Sequence, residues 1–190
     1  MLVFIDAGHG GTNSGCVHNG VTEKDFTLAA AKQLAGLLVE ARIGHTLSRW
    51  EDDTVTLEER GRLSSGADLV VSIHADAAAD PAAGFLGAYV LPGDEVGQEV
   101  ALEVERAAPN TLRPRTPGAT LTKSIGWTQR AHNVLRPHAP RPAVLVECGF
   151  LSNPRHAAYL STSYGLAAVG LTLAAGVVRA AEILSTRKAA

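Results

Sequence analysis

Cysteine is scarce in this chain: Cys16 and Cys148 are the two in 190 residues, too few for a disulfide scaffold. Whether they pair is a question of geometry, which sequence leaves open. Net charge is nearly absent as well. The 17 Lys and Arg oppose 19 Asp and Glu for a net charge of -2, so no overall field draws the molecule to nucleic acid or to an anionic membrane. The N-terminus lacks a basic leader region. MLVFIDAGHGG has four apolar residues between Met1 and the carboxylate of Asp6, which reads as a strand rather than a signal peptide. A long uncharged apolar run is also missing. Gly165 to Val178, GLAAVGLTLAAGVV, is closed by Arg179 and Glu182 and falls short of the about 18 residues of a membrane span. It reads as a buried core helix. There is no internal repeat and no low-complexity tract, so stable membrane insertion, a nucleic-acid partner and a repeat architecture are all excluded from the expected function.

What the chain does have is the length of one domain and 46% hydrophobic residues, enough for a full core without metal or disulfide staples. A metal here would therefore serve chemistry. Leu2 to Asp6 predicts a central strand running into a glycine-rich loop. Thr22 followed by Glu23, Lys24 and Asp25 predicts a helix N-terminus, and Phe26, Ala30, Leu34, Leu37, Leu38 and Ala41 recur at helical spacing until Gly44. His45 to Arg49 reads as a strand and Leu57 to Ser64 as a short helix. Asp68 to His74 and Ala143 to Glu147 read as strands apolar on both faces, which argues for a parallel sheet. Phe85 to Leu91 is a further strand, and helices are expected over Glu95 to Ala107 and Ser163 to Leu184. Strands alternating with helices predict an α/β fold, a mostly parallel twisted sheet with helices on both faces.

One stretch departs from the rest. Arg106 through Val146 contains no Asp or Glu, yet seven Lys and Arg and six of the nine prolines fall there. It is expected to be largely irregular, and long loops in compact domains often serve as binding loops. Its Arg113, Arg115, Lys123 and Trp127 are candidates for contacts to substrate carboxylates and sugars, Arg through bidentate bonds and Trp through stacking.

In open α/β sheets ligands bind beyond the carboxyl ends of the strands. His9 follows the first strand within Gly8-His9-Gly10-Gly11, His74 closes DLVVSIH, and Glu147 closes AVLVE; Glu23 stands in the first turn of the helix that ends the His9 loop. Two imidazoles and one carboxylate are a frequent set for catalytic zinc, which keeps its fourth position for water. His9, Glu23 and His74 supply that set. Glu147, on a buried strand end, would have its pKa raised by desolvation and suits a general acid and base. Each has a plainer reading: a structural histidine, a helix-dipole carboxylate for Glu23, or a phosphate-binding glycine loop, although Gly8, Gly10 and Asn13 miss the third glycine of that pattern. The residues alone point to a metal-dependent hydrolase of an amide or ester.

Five segments in register point further: IDAGHGG (Ile5 to Gly11), TEKDFTLA (Thr22 to Ala29), LSRWEDDTVTLEER (Leu47 to Arg60), ADLVVSIHADA (Ala67 to Ala77) and AVLVECGFLSNP (Ala143 to Pro154). Together they resemble the zinc-dependent N-acetylmuramoyl-L-alanine amidases of the Amidase_3 type, from Leu2 to about Ala180. The resemblance implies a phosphorylase/hydrolase-like fold and one Zn2+ held by His9, Glu23 and His74, with Glu147 catalytic. The implied substrate is peptidoglycan, cut at the amide between the lactyl group of N-acetylmuramic acid and the L-alanine of the stem peptide. No protein partner is implied. Two departures are visible: Asp76 stands where the family commonly has Asn, which makes it a candidate for altered substrate contacts or metal affinity, and Ser64-Ser65 replace a common Ala-Asn. Residues 1–190 are expected to form a single catalytic domain without a separate wall-binding domain. With no export signal read, the protein is expected in the cytoplasm until released onto the wall, as a phage-type endolysin or a bacterial autolysin. Other readings are a different zinc amidohydrolase or peptidase, and a peptidoglycan-binding module without turnover.

Among the remaining polar residues, Arg49 and Arg60 are expected in structural salt bridges. His18, His45, His132, His138 and His156 are expected at the surface. Cys148 is expected to point away from Glu147 by strand alternation.

Overall fold

The apolar N-terminal segment forms an inner strand of the sheet. In a computed structural model, which describes residues 1–111, 124–129 and 133–189, this is β1 (Leu2–Ala7). A short hairpin, β2 (Val17–His18) and β3 (Val21–Thr22), leads into α1 (Glu23–Glu40) and β4 (Gly44–Leu47). Then come α2 (Leu57–Leu63), β5 (Leu69–Asp76), β6 (Leu86–Val90), α3 (Glu95–Thr111), β7 (Ser124–Gln129), β8 (Ala143–Phe150), α4 (Pro154–Leu160) and α5 (Ser163–Ala189).

The six long strands lie in the order β4-β1-β5-β8-β6-β7. The β4-β1-β5-β8 block is parallel, β8 and β6 are antiparallel, and β6 and β7 are again parallel. The mostly parallel α/β sheet read from the sequence is what forms. Alternation divides each strand between two faces. Val3, Ile5, Val71, Ile73, Val144 and Val146 pack with Phe26, Leu34, Leu38, Val100, Val104, Leu173 and Val177 into the larger core, under α1, α3 and α5. Phe4, Val70, Tyr89 and Leu145 face a smaller cluster closed by Leu135, on the side of α2 and a 3-10 turn at Arg136–His138. Asp6, Ser72, His74 and Glu147 lie at the carboxyl ends of β1, β5 and β8 in the register of that second face.

The segment Ser163–Arg187 of α5 is long and apolar enough to cross a membrane by length and composition. In this fold it packs on α1 and α3, with Val169, Leu173, Val177 and Ala180 buried, as expected of a core helix.

Three local expectations, on His138, His156 and Thr22, are corrected. Within the acid-free stretch, expected to be largely irregular, the backbone of Ser124–Gln129 pairs with β6 as a strand. Arg113, Arg115, Lys123 and His132 lie outside the described residues, and Trp127 is placed on β7 by its backbone. His138 and His156 are buried, at 0% and 4% exposure, rather than superficial. His138 meets Ser64 Oγ at 2.8 Å through Nδ1, while His156 Nδ1 accepts from the Phe150 amide at 3.1 Å. Thr22 starts α1 without a side-chain cap; the backbone instead closes the turn, with Glu23 N–H donating to Cys16 O at 2.9 Å and Lys24 N–H to Ser14 O at 3.1 Å. Thr56 does cap α2, accepting from Glu59 N–H at 3.2 Å.

Candidate metal centre

The loop after β1 bends sharply so that a side chain can point back across the sheet edge. His9 adopts a left-handed backbone, φ 60°, an uncommon state for a residue with a Cβ. Two guanidiniums hold this path. Arg60 pairs with Asp6 and donates to Ala7 O at 2.8 Å, His9 O at 2.6 Å and Val55 O at 3.1 Å. Arg49 donates to Gly8 O at 3.1 Å, Lys24 O at 2.7 Å and Thr27 Oγ1 at 3.2 Å. The expected salt bridge thus exists for Arg60, whereas Arg49, only 3% exposed, spends its donors on backbone carbonyls and a hydroxyl. The reason is local: the carbonyls freed where β1 ends need buried donors, and Arg carries five in a fixed fork.

Held this way, His9, Glu23 and His74 converge, each offering a ligand atom within 4.8 Å of the others. His9 Nε2 and His74 Nδ1 each lie 3.0 Å from Glu23 Oε1. The two imidazoles stand edge to face, 81° between planes, with centroids 5.0 Å apart. Asn13 Oδ1 lies 3.0 Å from His9 Nδ1, which sets Nδ1 as a donor and turns Nε2 toward Glu23. Glu23 Oε2 accepts from Cys16 N–H at 2.9 Å and Oε1 from Ala75 N–H at 3.2 Å. Burial alone would raise this carboxyl's pKa, but the hydrogen bonds from His74 and His9 override it and hold it well below the usual carboxylate range. An anionic oxygen between two imidazole nitrogens, which give up their protons to a metal, fits the donor set of a divalent transition metal.

Two glycines are required by this geometry. A Cβ on Gly8 would come within 2.5 Å of His74 Cε1, and one on Gly15, at φ +65°, within 2.4 Å of Glu23 Oε2. The glycine-rich text around His9 is therefore a matter of close approach as much as of turning.

Glu147 stands opposite His74 in the β5-β8 ladder, strands about 4.8 Å apart. Its Oε2 is closed off from solvent with no hydrogen-bond partner among the described residues. Burial first, then the charges of Asp76 and Glu23, push its pKa up to about 9. Asp76 ends β5, its Oδ1 accepting from Ala77 N–H at 2.7 Å. Both cysteines are free thiols: Cys16 donates to Ala75 O at 3.4 Å beside the cluster, whereas Cys148 lies in the larger core, on the face away from Glu147. Neither belongs to the converging set. The arrangement can bind a dication at three donors and place one protonatable carboxyl beside it, which is the equipment for adding water to a carbonyl.

Sequence reading missed the carbonyl clamp of Arg49 and Arg60, whose only local signal is a pair of arginines flanking an acidic loop. It also missed Asn13 as the partner that orients His9; its spacing of four residues from His9 in a glycine-rich loop was the available hint.

Comparison with known proteins gives a consistent picture. The family described as N-acetylmuramoyl-L-alanine amidase matches residues 3–179. The N-acetylmuramoyl-L-alanine amidase CwlM of Bacillus licheniformis is 32% identical over 188 residues, covering 95% of this chain and 68% of that protein. Among solved structures, the catalytic domain of CwlV, an N-acetylmuramoyl-L-alanine amidase from Bacillus (Paenibacillus) polymyxa, superposes with a TM-score of 0.83 at 27% identity, covering 96% of this chain and 98% of that one. AmiC2 of Nostoc punctiforme, an amidase of the same name, gives 0.84 at 27% identity over 96% and 97% of the two chains.

Proposed function

The chain belongs to the N-acetylmuramoyl-L-alanine amidase family, and on that premise we propose how its own residues divide the work of cleaving peptidoglycan. Water is added across the amide between the lactyl carbonyl of N-acetylmuramic acid and the nitrogen of L-alanine. The products are a muramic carboxylic acid and a free alanine amine. His9, Glu23 and His74 are the residues that hold the metal, one Zn2+ per chain. Such an ion supplies an acidified water, a polarised carbonyl and a positive charge that draws Glu147 back toward its ionised form.

Glu147 is the group that moves the proton. As a carboxylate it takes one from the attacking water; as a carboxylic acid it returns that proton to the alanine nitrogen as the C–N bond breaks. The observation that carries this reading is the pairing of a converged His9-Glu23-His74 set with a neighbouring carboxyl whose Oε2 has no partner among the described residues. A buried polar group left unbonded costs stability, and a cost placed beside three metal-type ligands is what a reaction centre requires. Asn13 and Arg60 act through His9, one orienting its ring and the other fixing its backbone. Residues 1–190 are proposed as one catalytic domain acting on the cell wall.

The test is release of new N-terminal alanine amines from purified peptidoglycan, with metal content measured on the same samples. Glu147→Gln is expected to lower kcat by about 10²–10⁴-fold while keeping its metal. His9→Ala is expected to lose both metal and activity. Full activity in Glu147→Gln, or stoichiometric metal in His9→Ala, would sink the assignment of that residue.

A further inference from the structure

A cavity of about 350 Å3 opens directly from His9 and His74, within the size range of small-ligand sites, about 300–1,000 Å3. Its walls among the described residues extend from the ends of β1 and β5 to the segment before α2 and to Val134, and Glu147, one strand further along on β8, is not among them. We propose that this cavity is the subsite for the acyl half of the substrate, the lactyl group and the N-acetylmuramic acid ring, with Val55, Leu57 and Val134 as its apolar wall. The proposal rests on the amide hydrolysis given above and assigns it a direction.

The direction follows from where the proton must go. The leaving alanine nitrogen has to reach Glu147, so the stem peptide departs over β8. The acyl substituent on the other side of the carbonyl carbon is then directed across His74, toward β1 and α2, where the cavity lies.

The chemistry of the walls agrees. In the intact substrate the muramic sugar is uncharged, since its lactyl carboxyl is tied up in the amide. It carries two methyl groups, lactyl and acetyl, beside hydroxyls and amides. Val55, Leu57 and Val134 offer apolar contact, and Thr54, Thr56 and Asn13 bring neutral polar groups. Asn13 uses its Oδ1 on His9 and on Gly15 N–H, which leaves its amide nitrogen to donate. Arg60 is the only cation among the described lining residues, and its guanidinium is committed to Asp6 and to the carbonyls of Ala7, His9 and Val55. Among the described lining residues a free carboxylate finds no uncommitted cationic side chain, whereas a neutral amphipathic sugar is matched. Leu57, 43% exposed, is an apolar side chain left open at the start of α2, as a contact residue for a ligand would be.

Two measurements on the metal-loaded protein test this. Titration with the neutral lactyl amide of N-acetylmuramic acid is followed through the methyl resonances of Val55, Leu57 and Val134, with Leu171 on the far helix as reference. Shifts confined to the first three are expected; equal shifts at Leu171, or none, overturn the subsite. In the second, kcat/KM is compared for a muramoyl-peptide and for a lactyl-peptide lacking the sugar. Leu57→Ser, and independently Val55→Thr, is expected to reduce the preference for the muramoyl substrate about tenfold, chiefly through KM. Leu63→Ser, outside the cavity on the same helix, is expected to leave that preference as it was. A preference unchanged by both cavity variants overturns the proposal even if the enzyme is fully active. Failure of the wild type to cut either substrate, with the methyl shifts present, would remove the proposed reaction and leave the sugar site standing.

Discussion

Over β1, the carboxyl edge of the sheet carries Asp6 with Arg60 paired to one oxygen and Ser72 Oγ donating to the other at 2.8 Å. Over β8, on the same face and two strands away, it carries Glu147 with Oε2 bonded to nothing among the described residues. Asp6 is fully buried and Glu147 half-buried with its Oε2 closed off from solvent, and burial alone raises both pKa values. At Asp6 the Arg60 charge and the Ser72 hydroxyl reverse the shift and hold it below its ordinary value, while at Glu147 the nearest charges, Asp76 and Glu23, add to it. Partners, and not burial, separate a carboxylate that holds the fold from one left free to exchange protons.

The largest effect expected of breaking this contrast is at Arg60. Arg60→Ala leaves Asp6 charged in the interior with only the Ser72 hydroxyl for a partner and strips the Arg60 donors from three carbonyls, so urea unfolding should show a loss of about 3–5 kcal/mol. The double variant Asp6→Leu with Arg60→Met should recover part of that, but not all, because the carbonyls of Ala7, His9 and Val55 still lack the Arg60 donors. Full recovery would mean that the clamp on the His9 loop contributes nothing.

Glu147→Gln should act in the opposite direction. In the chelated protein the folded carboxyl holds its proton up to about 9, against an ordinary value of 4.5. The folded state then binds more protons than the unfolded one across that interval, so stability is fully present below 4.5 and is lost as pH rises toward 9. Removing the charge should stabilise the chelated protein at neutral pH by about 1–3 kcal/mol and flatten the slope between pH 5 and 8, a window inside the interval of 4.5 to about 9. Urea midpoints across that window decide it, and an unchanged slope would mean that Glu147 is solvated.

The smallest effects lie at the helix starts on the two sides. Thr56→Ala removes a real cap and should cost about 1 kcal/mol, whereas Thr22→Ala, at the start of α1 beside the metal ligands, removes no cap bond. A thermal shift for Thr22→Ala matching that of Thr56→Ala would show that the carbonyls of Ser14 and Cys16 do not suffice to start α1.

Much of this was legible along the chain. Each of His9, His74 and Glu147 closes an apolar segment, and parallel strands deliver their carboxyl ends to one edge, so their convergence follows from patterning. Glu23 was legible as a helix-start carboxylate. The failures have a common cause. His138 and His156 look like polar residues in loops; their burial comes from Leu135 closing the smaller cluster and from α4 folding under Phe150. The cap at Thr22 matches a local pattern that a neighbouring hairpin pre-empts. Both are decided by segments remote in sequence or by backbone geometry that local spacing does not encode.

By itself the sequence determined the α/β class, the large core and the identity of the chemical groups at the strand ends, because period and side-chain chemistry are local. Tertiary structure alone decided the strand order that sets β8 beside β5, and with it Glu147 beside His74. It also decided the donors that clamp the His9 loop, and which carboxyl oxygen would be closed off with no partner among the described residues. Those depend on contacts across tens of residues, where the free energy of a polar group is set by what the fold brings to it rather than by its neighbours in the chain.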